Sequence, residues 1–226
     1  MLFRWFIGLV ALLSLPMVAY GQNQRPLPPV RWEDYDAETC GSLGFGFGPF
    51  DYRSASQETR VTVEGAHFTR DVENLKGFYN YARQMRASVG GDIAYTLSAF
   101  PNHPRALFAL TRLEEKERTV HIKGMQYPVP CWFERALRFQ PDDQMVRTVL
   151  GVYLMRRGDR GSAIKMLEEA SQQAGDSANL HYNLGLAYLD AKEFDRSLDH
   201  AKKAYALGFP LPGLKERLQK AGQWRE

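Results

Sequence analysis

The chain has no concentrated run of basic residues. Its 29 Lys and Arg stand against 26 Asp and Glu, a formal net charge of +3 over 226 residues. A protein that neutralises phosphates needs a basic face, so nucleic acid is set aside as the main partner. Cysteine is nearly missing, with only Cys40 and Cys131. The histidines, His67, His103, His121, His181 and His200, form no His-Glu-x-x-His pair and no Cys–His cluster at zinc spacing. Ser42 lacks the Gly-x-Ser-x-Gly elbow of a nucleophile. The glycine-rich stretch CGSLGFGFGPFDYR (40–53) contains neither Gly-Lys-Ser/Thr nor Gly-x-Gly-x-x-Gly. The pairs Glu114–Glu115 and Glu168–Glu169 sit among Lys and Arg, as on solvated helix faces. No catalytic, metal or cofactor site is therefore expected, and the chain is not read as an enzyme.

Long apolar runs are also missing, except at the start. There Arg4 precedes FIGLVALLSLPMVA (6–19), followed by Tyr20 and Gly21. The run contains Pro16 and falls short of the ~20 residues that span a bilayer. A positive charge, a short apolar core and small residues in that order form a secretory signal pattern. Cleavage is expected after Gly21, with a periplasmic or secreted location and no membrane span after signal cleavage. No cysteine stands at the expected cleavage site, which argues against a lipid-anchored form. In an oxidising compartment an even pair of cysteines reads as a disulfide, Cys40 to Cys131. The alternative is two unrelated buried thiols.

What is abundant is repetition. In SANLHYNLGLAYLDAKEFDRSLDHAKKAYALGFP (177–210), the positions Leu184–Gly185, Tyr188, Phe194, Ser197, Ala201, Ala204 and Pro210 stand out. Leu150–Gly151, Leu154, Ala163, Leu167 and Ala170 answer them at a shift of 34 residues. Small residues at Gly151, Gly185, Ala163 and Ser197 let paired helices approach, while the leucines and Tyr188 fill between them. This pattern resembles the tetratricopeptide-repeat (TPR) family. The resemblance implies an all-α, TPR-like helical-hairpin solenoid with an irregular N-terminal arm and a C-terminal capping helix.

Two repeats cannot bury their faces alone, so helices are sought upstream. CWFERALRFQPDD (131–143) matches the second helix of a repeat, and HPRALFALTRLEEK (103–116) its first, about six residues out of register. GGDIAYTLSAFPNHP (90–104) reads as another second helix, and residues 69–86 as the helix before it, with Thr69 as N-cap. Downstream of Pro210 and Pro212, the residues Leu214, Leu218, Ala221 and Trp224 form the stripe of a capping helix. QNQRPLPPVRW (22–32) reads as a mobile proline-rich linker. TRVTVEG (59–65) alternates like a strand that RTVHIKG (118–124) could pair with. The chain thus divides into a signal peptide (1–21), a Pro/Gly/aromatic-rich arm (22–66), degenerate TPR-like helices (67–143), two repeats (144–210) and the capping helix (211–226).

In TPR proteins the first helix of each repeat lines a concave groove. The resemblance therefore implies a scaffold or adaptor binding a protein or peptide in the cell envelope. The floor would comprise Arg105, Phe108 and Arg112; Met145, Thr148, Val149, Val152, Met155 and Arg156; and Asn179, Tyr182, Asn183, Leu186, Leu189 and Asp190. Tyr182, Leu186 and Met155 are the expected anchors. The carboxylate clamp of chaperone-binding relatives is missing, since Thr148 stands where that pattern needs Lys and only Asn183 matches. Two other arrangements stay open: the arm itself fills the groove, or the aromatic–glycine arm is a lid over an enzyme's or ligand carrier's pocket.

Overall fold

From Gln57 onward the chain runs as helices that pack on their neighbours in sequence. In a computed structural model, residues 27, 29–44, 46–77, 79–80, 85–86, 88–174 and 177–225 are described. The segment read as an export signal lies outside them. Among the described residues there are eleven α-helices and one short two-stranded ladder. Two helices are brief, α1 (Ala37–Cys40) in the arm and α3 (Arg70–Glu73). The rest make hairpins: α2 (Gln57–His67) with α4 (Val89–Ala99), α5 (Pro104–Glu117) with α6 (Val129–Phe139), α7 (Gln144–Arg157) with α8 (Arg160–Ala174), and α9 (Ala178–Asp190) with α10 (Phe194–Ala206). The last helix, α11 (Gly213–Lys220), packs on both α9 and α10.

The helix starts follow from local chemistry. Ser56, Ser88, Asp143 and Ser177 each turn a side-chain oxygen onto the free N–H groups of the helix that follows. At α5 the cap is a histidine: the amide of Ala106 donates to Nδ1 of His103 at 3.2 Å, with Pro104 in the first turn. Gly158 ends α7 at φ 87°, a left-handed conformation that costs glycine little.

The small residues sit where helices cross. A Cβ on Gly151 would stand 2.6 Å from Cγ of Leu167, and one on Gly185 would run into Leu214. Ser197 lies at the same crossing and donates to the carbonyl of Gly185 at 2.7 Å. The core passes from hairpin to hairpin. Leu107, Leu110, Phe133, Leu150 and Tyr153 fill its first part, with the rings of Phe133 and Tyr153 stacked 5.2 Å apart. Leu167, Leu180, Leu184 and Tyr188 join α8 to α9, and Leu198, Leu214 and Leu218 close the end.

Several expectations are corrected. Residues 59–65 belong to helix α2, not to a strand. Only Val63 of their alternating valines is buried while Val61 is 61% exposed, and Ser56 caps the helix through the amide of Thr59. The intended partner, 118–124, is a run of turns with Arg118 at φ 58° and Gly124 at φ 87°, packed by Ile122 against Gly90. The helix expected over 69–86 stops at Glu73. Leu75 is left-handed at φ 59°, and the carbonyls of Glu73 and Leu75 accept from Arg112 and Lys116 of α5. Strands β1 (Tyr79–Asn80) and β2 (Met85–Arg86) follow as an antiparallel pair. Glu114 is not on a solvated face. It is fully buried, accepts from the Tyr153 hydroxyl at 3.0 Å and lies 3.5 Å from Arg157; burial pushes its carboxyl up to about 7. Ala221 lies past the end of α11 and is exposed, while Trp224 folds back beneath Tyr205 and Lys215.

Candidate functional site

The arm lies against the helices. It is docked from Val30 onward, so the end of the proline-rich segment is not mobile: Val30 is buried, and the amide of Trp32 donates to Asp159 at 3.1 Å in the turn before α8. Cys40 is bonded to Cys131 on α6, with Cα atoms 5.0 Å apart. Beside that bond Arg135 donates to the carbonyls of Cys40 and Ser42, and Arg138 to that of Gly41. The arm then reaches the turns between hairpins. The Phe50 amide donates to Ala99 O at 2.8 Å, and Asn102 bridges Asp51 at 2.7 Å to Asp143 at 2.9 Å. The Arg53 guanidinium, with Asn102, holds the Asp51 carboxyl at about 2. Tyr52 rests its ring on Phe100 and His103 and donates its hydroxyl to Glu64 at 2.7 Å. The aromatic residues of the arm thus cover the end of α4. The arm contacts named here fall on α2, α4, α6 and the turns at Asn102–His103, Asp143 and Asp159, and none of them is with Phe108, Arg112, Met145 or Val149.

Between α5 and α7 lies a concavity of about 370 Å³. Pro104, Arg105, Phe108, Ala109 and Arg112 of α5 form one wall, Met145 and Val149 of α7 the other, and Asn179 of α9 one end. Glu73 and Asn74, from the segment that breaks the expected helix, close the remaining side. Phe108 is 40% and Met145 54% exposed, and both face this space. Arg105 is held by Glu73 in a two-pronged pair at 2.8 and 2.5 Å. Arg112 reaches the Glu73 carbonyl, at 3.4 Å, and among the described residues it has no second partner.

The remaining groove residues are placed differently. Thr148 is buried and donates to the carbonyl of Gln144 at 2.8 Å. Leu189 is buried in the cluster beneath α11, so neither it nor Thr148 is a groove contact. Tyr182 stacks on Phe209 with centroids 4.0 Å apart, and Leu186 packs against the same cluster. Two of the three expected anchors are therefore half-buried against the capping segment. Met155 bridges the first two core clusters, Val152 is half-buried, and the Asn183 amide donates to Asn179 at 3.2 Å. Of the fifteen floor residues expected from the sequence, the concavity brings together Arg105, Phe108, Arg112, Met145, Val149 and Asn179. The sequence reading missed Glu73 and Asn74; the signal was the long stretch between α2 and α4, too long for a turn inside a hairpin.

The titratable clusters elsewhere serve packing. His67 lies 3.0 Å from Asp92 and stacks on Tyr95. The Nδ1 atoms of His181 and His200 are 2.9 Å apart, and burial, with His181 beside it, pushes His200 down to about 4. Among the described residues no group of His, Cys, Asp and Glu is arranged to hold a metal ion, and no helix is long and apolar enough to cross a membrane.

No family model matches the chain, and no curated protein does. Among solved structures it is similar to PilF of Pseudomonas aeruginosa, at 18% identity over 73% of this chain and 70% of that one, with a TM-score of 0.50. It is also similar to MamA of AMB-1, at 17% identity over 74% of this chain and 80% of that one, with a TM-score of 0.42. The likeness to PilF speaks to fold alone and agrees with the hairpin order described above. The fold is a TPR-like helical-hairpin solenoid with an irregular N-terminal arm and a C-terminal capping helix.

Proposed function

We propose that this protein is an interaction scaffold of the cell envelope, holding a protein or peptide segment against the concave side of α5 and α7. The observation that carries the reading is the pair Phe108 and Met145, 40% and 54% exposed across one concavity, while Tyr182 and Leu186 of α9 are half-buried. Large apolar side chains left open in a groove are the usual anchors for a helical or extended segment. The binding position thus moves from the groove of the last two repeats, where the sequence reading put its anchors, towards α5 and the start of α7. The disulfide supports an oxidising compartment, and the pattern of residues 1–21 supports export with a mature start at Gln22.

One experiment tests both parts. A photo-crosslinking amino acid is placed at position 108 in living cells, and the adducts are recovered from the fractionated envelope. We expect protein adducts on a chain that begins at Gln22, lost when Met145→Asp is added and not formed from the exposed position 61 of α2. Adducts that persist in Met145→Asp would sink the groove reading. An uncut Met1 in the cytoplasmic fraction would sink the envelope reading.

A further inference from the structure

The groove of the preceding section has a chemical asymmetry that names its occupant. The concave face of α5 presents Arg105, Phe108 and Arg112, one turn and then another apart. The segment Arg70–Leu75 lies along that face and satisfies its basic residues unequally. Arg105 receives the whole Glu73 carboxylate, and Lys116 donates to Leu75 O at 3.0 Å. Arg112 lies between them with one long contact to a carbonyl, and among the described residues it has no carboxylate in an ion pair. The nearby cations of α7 are also committed, Arg147 to Glu169 and Arg156 to Glu115, each at 3.0 Å. A guanidinium set beside Phe108, Ala109 and Met145, with its charge uncompensated, favours a carboxylate that comes from outside.

Resting on the groove reading, we propose that the occupant is a peptide segment that places an apolar side chain between Phe108 and Met145 and an Asp or Glu side chain on Arg112. A chain-terminal carboxylate is the poorer fit. Its recognition uses a second cation, and Thr148, which stands where that cation would be, is buried and bonded to Gln144.

Random peptides displayed as internal loops, with no free C-terminus, are selected on the wild-type protein, on Arg112→Gln and on Met145→Asp, each shown by circular dichroism to be folded. The expected wild-type peptides combine apolar residues with one Asp or Glu. Exchanging that Glu for Gln in a synthetic copy weakens binding about tenfold on the wild type and leaves it unchanged on Arg112→Gln, with Arg112→Lys in between. Apolar peptides with no acidic preference, lost on Met145→Asp, would overturn the acidic partner and leave the groove standing. Peptides that bind Met145→Asp as well as the wild type, or no selected peptides at all, would overturn both.

Discussion

His103 shows how much a single residue carries in this fold. Its Nδ1 accepts the amide of Ala106 at the start of α5, which fixes the proton on Nε2, and Nε2 then donates to Glu64 at 3.0 Å. Glu64 also accepts from Tyr52, so one imidazole joins α2, α5 and the arm. Burial pushes the His103 pKa below its ordinary 6.5 despite the carboxylate beside it, while that histidine, with Tyr52, holds Glu64 at about 2. A second proton on the ring would turn Nδ1 from acceptor to donor and undo the cap. With the folded pKa below the unfolded one, the unfolded chain takes up a proton that the folded chain refuses. The stabilisation is complete above about pH 6.5 and is lost as pH falls towards the folded value. In the window from about pH 7.5 to 5.5, Glu114, raised to about 7, adds stability as pH falls and His200, lowered to about 4, removes it, so the His103 contribution is read as a difference between two proteins. In denaturant melts across that window, His103→Asn, which can cap but not titrate, should change less unfavourably than the wild type as pH falls. Equal slopes in the two proteins would remove His103 from this role.

At the scale of elements, the hairpins α7–α8 and α9–α10 were legible in the sequence because their packing is recorded in residue size. Gly151 and Gly185 occupy positions where a Cβ would strike Leu167 and Leu214, so the repeat leaves a written trace. The second helices α4 and α6 were legible from their closing prolines. The α2 region was not, since Val61 and Val63 alternate as in a strand while the cap that decides for helix is one serine. The segment after Glu73 was not legible either. Its helix is broken by tertiary donors, Arg112 and Lys116, which no local pattern announces. For the same reason the concavity was seen only in part: Phe108, Arg112 and Met145 were nominated, but the wall made by Glu73 and Asn74 depends on that break. Tyr182 and Leu186 are half-buried because the capping segment brings Phe209 and α11 against them, a contact that the repeat pattern does not announce. That cap carries a prediction of its own. Leu214 is fully buried against Gly185, so Leu214→Ala should cost about 2–5 kcal/mol. The loss should appear as faster amide exchange in α9 and α10, with α5 and α6 unchanged, because a solenoid passes stability only between neighbours. Uniformly faster exchange would contradict that picture.

For the molecule as a whole, the bond between Cys40 and Cys131 spans a sequence separation of 91 residues and encloses α2 to α5. If the two ends are pulled apart, tension enters through the arm, crosses the sulfur atoms and leaves through α6. The helices inside the ring bear no load, and the hairpins after it bear all of it. At ~3.3–3.6 Å per extended residue, roughly 300 Å of chain is withheld from stretching until the bond is reduced. Single molecules drawn out between their termini should thus lengthen by that much less in the oxidised form than in the reduced one. Beyond the ring, α7 to α11 should give way hairpin by hairpin, while the wall, Phe108 and Arg112 stay slack inside the ring.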